Sequence, residues 1–205
     1  MKRLYFALSV ALLLWTLMFC PLTAPRFDFW EMMAGSALLL LSLATLFAPA
    51  WWERLKFNLQ NILFGVVVAV ALWCIFWLGD KIASWMFDFA RPQVDLIYGI
   101  KEGESPWVLS LLLLLLIGPA EELFWRGYVQ ERMGKKWGLT RGYLIATACY
   151  TLVHVPSCNF MLVMASMVCG LAWGFLYRYF PDRFTGIVIS HALWDAAVFV
   201  WLPIL

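Results

Sequence analysis

Residues 111–127 read LLLLLLIGPAEELFWRG, which places three formal charges directly behind seven consecutive aliphatic residues. The aliphatic run is typical of a helix in hydrocarbon, where an ionisable side chain costs about 2.5 kcal/mol or more at the helix centre. Glu121, Glu122 and Arg126 must therefore find partners inside the fold or take part in its chemistry.

The composition predicts an integral membrane protein. Of the 205 residues, 64% are hydrophobic and 14% are charged, against about 25% charged residues in soluble domains. The expected fold class is an all-α, polytopic transmembrane helix bundle of about seven spans, with six to eight possible, in a single membrane domain over residues 1–205. The predicted spans are about 4–21, 32–50, 60–79, 107–130, 142–157, 160–178 and 184–204.

The longest gap between spans, about residues 80–106, contains Ile82, Trp85, Met86 and Phe89 at helical spacing. This pattern predicts a short helix that lies in the membrane interface. Two roles stay open for the segment: a simple connector, or a lid or gate for a substrate.

The distribution of Lys and Arg predicts the orientation of the chain. With a cytoplasmic N-terminus, ten of the 15 Lys and Arg residues fall on the cytoplasmic side, four fall on the opposite side, and Arg126 lies within the membrane. This asymmetry follows the positive-inside rule and places the C-terminus outside. The first apolar run lacks a small-residue cleavage site, so we expect it to remain as the first span. The ten residues are Lys2, Arg3, Arg54, Lys56, Arg132, Lys135, Lys136, Arg141, Arg178 and Arg183.

Ionisable side chains on three predicted spans fall at similar depths. With a helical rise of about 1.5 Å per residue, Glu121 and His154 lie about 15 and 18 Å from the cytoplasmic ends of their helices. His191 and Asp195 lie about 10 and 16 Å into the last span. The chain has no other histidine. The layer is a candidate site, although each residue taken alone is also compatible with a structural hydrogen bond.

Helical spacing predicts how the first motif divides its charges. Glu122 and Arg126 are four residues apart, so they share a face and can form an ion pair that offsets the cost of burial. Glu121 is rotated by about 100° from Glu122 and faces elsewhere. Pro119 lacks an N–H group, which predicts a kink or a restart of the helix just before the glutamates. A restart would put both glutamates in a first helical turn, whereas a kink would leave local space for water.

The other two motifs have the same four-residue spacing. Tyr150 with His154, and His191 with Asp195, can each present two polar groups to one cavity. Together the three motifs resemble the CPBP family of intramembrane proteases, which includes type II CAAX prenyl proteases and bacterial Abi or bacteriocin-processing relatives. The family pattern is Glu-Glu-x-x-x-Arg, Phe-x-x-x-His and His-x-x-x-Asn or Asp. The resemblance covers roughly residues 107–200, the expected catalytic core.

The resemblance implies a glutamate-dependent endopeptidase without a cofactor. By this resemblance Glu121 would be the general base that activates water, and His154 would hold this water. His191 and Asp195 would stabilise the oxyanion. Glu122 and Arg126 would form a supporting ion pair.

Two positions depart from the family pattern of the prenyl proteases. Tyr150 replaces the usual Phe and adds a hydroxyl group. Asp195 replaces Asn, and because an ionised Asp cannot donate a hydrogen bond, it would orient His191 or carry a proton. Asp is found in bacterial-type members, so the resemblance favours a multi-pass protein of the bacterial cytoplasmic membrane.

The expected partners are the lipid bilayer and a peptide or membrane-protein substrate, and no basic tail indicates nucleic acid. Three alternatives stay open. One is a zinc-dependent membrane protease that uses His154, His191 and a glutamate as ligands, although the chain has no His-Glu-x-x-His motif. Another is a non-catalytic scaffold or immunity protein that regulates a partner. The third is a proton-coupled transporter, which the absence of obvious inverted halves disfavours.

Overall fold

The computed structural model describes residues 1–204, and this part of the chain forms eight helices of ten or more residues and no strand. Short 3₁₀ turns occupy several of the connections. The eight helices are α1 (Lys2–Phe19), α2 (Phe29–Phe47), α3 (Leu59–Met86), α4 (Ala90–Gly99), α5 (Pro106–Trp137), α6 (Leu139–Leu152), α7 (Phe160–Tyr179) and α8 (Pro181–Trp201).

All helices except α4 and α6 are long and apolar enough to cross a membrane, which gives six candidate spans. The predicted all-α polytopic bundle is therefore confirmed. The remaining predicted span, 142–157, corresponds to α6, which has 14 residues. At about 1.5 Å per residue it is about 21 Å long, less than the roughly 30 Å of a hydrocarbon core. His154 follows the end of α6 and is buried, so this helix delivers its motif from its tip.

A short helix lies in the gap that was predicted to contain one, but it does not contain the residues on which the prediction rested. Ile82, Trp85 and Met86 belong to the last turns of α3, and a separate helix, α4, begins only at Ala90. Helix α3 continues past the charge of Asp80 because this carboxylate is 8% exposed and its Oδ1 lies 3.6 Å from Nη1 of Arg91 on α4. A charge that finds a partner inside the fold does not have to end a span.

Helix α8 packs closely against two other helices through glycines. A Cβ atom added to Gly65 of α3 would lie 2.8 Å from the carbonyl oxygen of Gly186 on α8. A Cβ atom added to Gly118 of α5 would lie 2.7 Å from Cα of Ala192, the residue after His191. Small residues allow this close backbone approach between membrane helices. The contact at Gly118 therefore sets His191 beside the glutamates of α5.

Helix α5 does not restart at Pro119, so that part of the prediction was wrong. Its backbone stays helical through a π-helical segment, Leu113–Ile117, in which the carbonyl of Leu113 accepts from the N–H of Gly118. The wider π turn accommodates a residue that has no N–H to donate. A second π segment, Trp125–Gln130, follows. Glu121 and Glu122 thus lie on a short α-helical segment between two π segments, in the interior of a span.

Candidate active site

The structure joins four of the predicted site residues in one polar network. Nη1 of Arg126 donates to Oε1 of Glu122 over 2.7 Å. The same carboxylate oxygen lies 2.7 Å from Nδ1 of His191. Nε2 of His191 lies 3.4 Å from Oδ2 of Asp195, one turn further along α8. The network therefore connects α5 to α8 through a guanidinium, a carboxylate, an imidazole and a second carboxylate in this order.

Glu122 is the centre of this network. Its side chain is 0% exposed and contacts both Arg126 and His191 through one oxygen. Helical spacing predicted the contact with Arg126, since both residues lie on α5. The contact with His191 joins residues 69 positions apart, which a periodicity within one helix cannot predict.

Aromatic rings surround the cations of the network. The guanidinium of Arg126 lies 4.8 Å from the ring centroid of Tyr150 and 5.6 Å from that of Trp173. Trp173 also stacks on His191, with ring centroids 3.8 Å apart and planes 17° from parallel. The two rings beside Arg126 thus present π faces to its cation. Sequence reasoning missed Trp173, which is one of 13 tryptophans and lies in none of the three motifs.

Glu121 differs from its neighbour in its position, because it lines a cavity and Glu122 does not. It is 6% exposed, and its Oε2, like Oε2 of Glu122, has no hydrogen-bond partner within residues 1–204. The lone pairs of that oxygen are available to a water or a substrate.

His154 is held by contacts that the sequence did not indicate. Nδ1 lies 2.8 Å from the backbone carbonyl of Tyr150, and Nε2 accepts from the indole N–H of Trp15 over 3.1 Å. Because a carbonyl only accepts and an indole only donates, the ring carries its proton on Nδ1. The tyrosine thus orients the histidine through its backbone, and α1 supplies the second partner.

A cavity of about 620 Å³ lies at the meeting point of the motifs. Most of the other lining residues are apolar side chains of α3, α4 and α7, and α4 covers one end through Val94, Ile97 and Tyr98. Gln93 of α4 accepts a hydrogen bond from the side chain of Asn159, which directly precedes α7. It accepts another from the backbone N–H of Met161 on α7. Four predicted catalytic residues line the cavity, namely Glu121, His154, His191 and Asp195. Tyr150, from the same motif as His154, lines it as well.

No group of three or more His, Cys, Asp or Glu side chains in residues 1–204 is arranged to hold a metal ion. The ligand set considered for zinc would need His154, His191 and a glutamate together. In the structure Nε2 of His154 is bonded to Trp15, and Nδ1 of His191 is bonded to Glu122.

Comparison with known proteins assigns the second half of the molecule. Residues 103–197 match the family described as "Type II CAAX prenyl endopeptidase Rce1-like". No curated protein and no solved structure gives a significant match. The matched segment is a little less than half of the chain and contains all three motifs. With six apolar helices, the protein is a multi-pass integral membrane protein. Residues 103–197 are thus similar to a family of type II CAAX prenyl endopeptidases.

Proposed function

We propose that this protein is an intramembrane endopeptidase in which Glu121 activates the attacking water. The supporting observation is the contrast between adjacent carboxylates: Glu122 is bound through Oε1 by Arg126 and His191 and does not line the cavity, whereas Glu121 lines the cavity and accepts no hydrogen bond through Oε2. A general base must be free to accept a proton at the place where the substrate reacts.

The proposed reaction is hydrolysis of a peptide bond. Glu121 takes a proton from a water molecule as the water oxygen bonds to the peptide carbonyl carbon, and the carbonyl oxygen becomes an oxyanion. When the C–N bond breaks, Glu121 returns the proton to the leaving amine. His191 supplies an N–H donor for the oxyanion through Nε2, whose contact with Asp195 is long at 3.4 Å. In the structure Asp195 lies nearest to this N–H and orients the ring, and the developing oxyanion replaces it as the acceptor.

His154 would hold the attacking water through Nε2, because Nδ1 is already bonded to the carbonyl of Tyr150. In the structure Trp15 donates to Nε2. This role therefore requires water to replace the indole N–H when substrate occupies the cavity.

The cavity favours a hydrophobic substrate. Its apolar walls on α3, α4 and α7 fit a peptide that is cut next to a membrane-bound or hydrophobic segment. Prenylated CAAX proteins are one such class, and bacteriocin leaders or signalling peptides are another. We further propose that the protein lies in a bacterial cytoplasmic membrane with its N-terminus in the cytoplasm, in accordance with the positions of its Lys and Arg residues.

The test compares peptide products from membranes that carry the native protein, Glu121→Gln or Glu102→Gln. Glutamine nearly keeps the shape of the glutamate side chain but cannot act as a base, so Glu121→Gln should reduce hydrolysis by about 100-fold or more. Glu102 is exposed between α4 and α5, so its substitution should have no effect. Since Glu121 has an unpartnered oxygen, its substitution should not lower stability.

Two outcomes separate the alternatives. A Glu121→Gln protein with the full phenotype and unchanged peptide products would indicate a scaffold or immunity protein. Loss of hydrolysis by the purified protein in a chelator, with recovery on addition of zinc, would indicate a zinc protease. We expect hydrolysis to persist in the chelator.

A further inference from the structure

A second cavity, of about 560 Å³, lies at the C-terminal end of α5. It is bounded by the first turn of α1, the last residue of α2 and the last turns of α5. Lys135 on its wall is 14 positions after Glu121, which is about 21 Å along the helix. No residue lines both this cavity and the cavity of the candidate active site, so the two are separate. Five cationic side chains line it: Lys2, Arg3, Arg132, Lys135 and Lys136.

Contacts with Phe47 hold two of these cations in place. Nη2 of Arg132 donates to the carbonyl oxygen of Phe47 over 2.6 Å. The guanidinium of Arg3 lies over the ring of the same residue, 5.6 Å from its centroid. Phe47 therefore connects a cation of α1 with a cation of α5, and the charged wall is part of the helix packing.

The charge of this wall is almost uncompensated. No Asp or Glu side chain lines the cavity within residues 1–204. In the same described part of the chain, a carboxylate pairs with only one of the five cations: Oε1 of Glu131 lies 2.9 Å from Nζ of Lys135. Four cations thus face the cavity without an anionic partner from the described chain. Leu4 and Tyr128 are buried residues that add apolar surface to the same wall.

We propose that this cavity binds the phosphate of an anionic phospholipid headgroup. The end of an apolar bundle, where three helices reach the membrane boundary, is where headgroups lie. Arginine forks match phosphate oxygens in geometry as well as in charge, and basic pockets at such boundaries recognise anionic lipids. The apolar part of the wall accommodates the glycerol and the first acyl carbons. The site does not depend on the proposed peptidase activity.

The test is native mass spectrometry of the full-length protein, released from nanodiscs of phosphatidylcholine with a minority of phosphatidylglycerol. We expect the native protein to retain phosphatidylglycerol. Lys2→Gln/Lys136→Gln removes two cations of the wall that have no ion pair within residues 1–204, and it should bind this lipid about 30-fold more weakly. Arg3→Gln/Arg132→Gln should lose at least as much, because it also removes the two guanidinium groups.

The matched control is Lys56→Gln/Arg141→Gln, which removes the same charge from exposed positions outside the cavity and should bind the lipid like the native protein. Equal retention by the native protein and by both cavity variants would overturn the proposal. So would an absence of preference for phosphatidylglycerol over phosphatidylcholine. Binding of inorganic phosphate by the native protein, with no retention of phosphatidylglycerol, would assign the site to a free phosphate ion instead.

Discussion

Helix α5 carries charged side chains at two levels, and the two levels differ in where their counter-charges come from. In the middle of the helix, Arg126 pairs with Glu122, and the same carboxylate contacts His191. At its C-terminal end, five cations share a cavity and Glu131 pairs with one of them. Charge in the bundle does not by itself identify function here. The informative groups are those without an internal partner: Glu121 at the first level and the cations at the second.

The largest effect on stability should come from breaking the compensated level. Arg126 is 2% exposed, so Arg126→Met would leave the buried Glu122 carboxylate without its cation. We expect the free energy of unfolding to fall by about 3–5 kcal/mol. Unfolding of the purified protein in mixed micelles with increasing SDS measures this quantity.

Two further variants show whether compensation is the reason. Arg126→Met/Glu122→Gln removes both charges of the pair and should recover part of the lost stability. Arg132→Met removes a cation of the second level, where the side chain is exposed, and should cost about 1 kcal/mol or less. Equal losses for Arg126→Met and Arg132→Met would show that the two levels do not differ in this way.

The sequence predicts the helices and the charges well because both depend on local pattern. Apolar runs located each of the six long helices, and four-residue spacing predicted the pair of Glu122 and Arg126. The predicted span 142–157 also contains a helix, but its short length could not be derived from the apolar run that includes His154.

Features that depend on contacts between helices could not be predicted. Trp15 reaches His154 across 139 positions of the chain and lies outside the segment that matches the protease family. Trp173 stacks on His191, yet no spacing distinguishes it from the other tryptophans. The π segment before Pro119 is an adjustment of the backbone within α5, and the proline predicted only that some adjustment would occur there.

An intermediate effect should follow from disturbing the contact that brings the first level together. In Gly118→Ala the new methyl group would meet the backbone of Ala192, 2.7 Å from its Cα atom, so α5 and α8 must move apart. Such overpacking costs about 1–3 kcal/mol. Gly35→Ala on α2 is the control, because nothing lies within 4 Å of an added Cβ atom there. We expect that control to be neutral or slightly stabilising, since alanine is the better helix former.

The same pair of glycine variants separates packing from chemistry. Displacement at Gly118 should lengthen the contact between Glu122 and His191, so hydrolysis should fall together with stability. The Gly35 variant should keep both. Unchanged unfolding of Gly118→Ala in the SDS titration would show that α8 does not depend on this close approach.

The smallest effect should come from a charge that is only partly buried. Arg91 of α4 is 31% exposed in its side chain and lies 3.6 Å from Asp80 and 2.6 Å from Asp95. The pair with Asp95 is screened by solvent, and the contact with the buried Asp80 is long at 3.6 Å, so Arg91→Gln should lower the free energy of unfolding by about 1 kcal/mol. Its local effect should be clearer: because the ion pair with Asp80 connects α4 to α3, amide hydrogen exchange in α4 should accelerate while exchange in α5 stays constant.

Arg26→Gln, at an exposed position in the connection between α1 and α2, controls for the loss of one charge. Unchanged exchange in α4 would assign the anchoring of that helix to the hydrogen bonds of Gln93 instead.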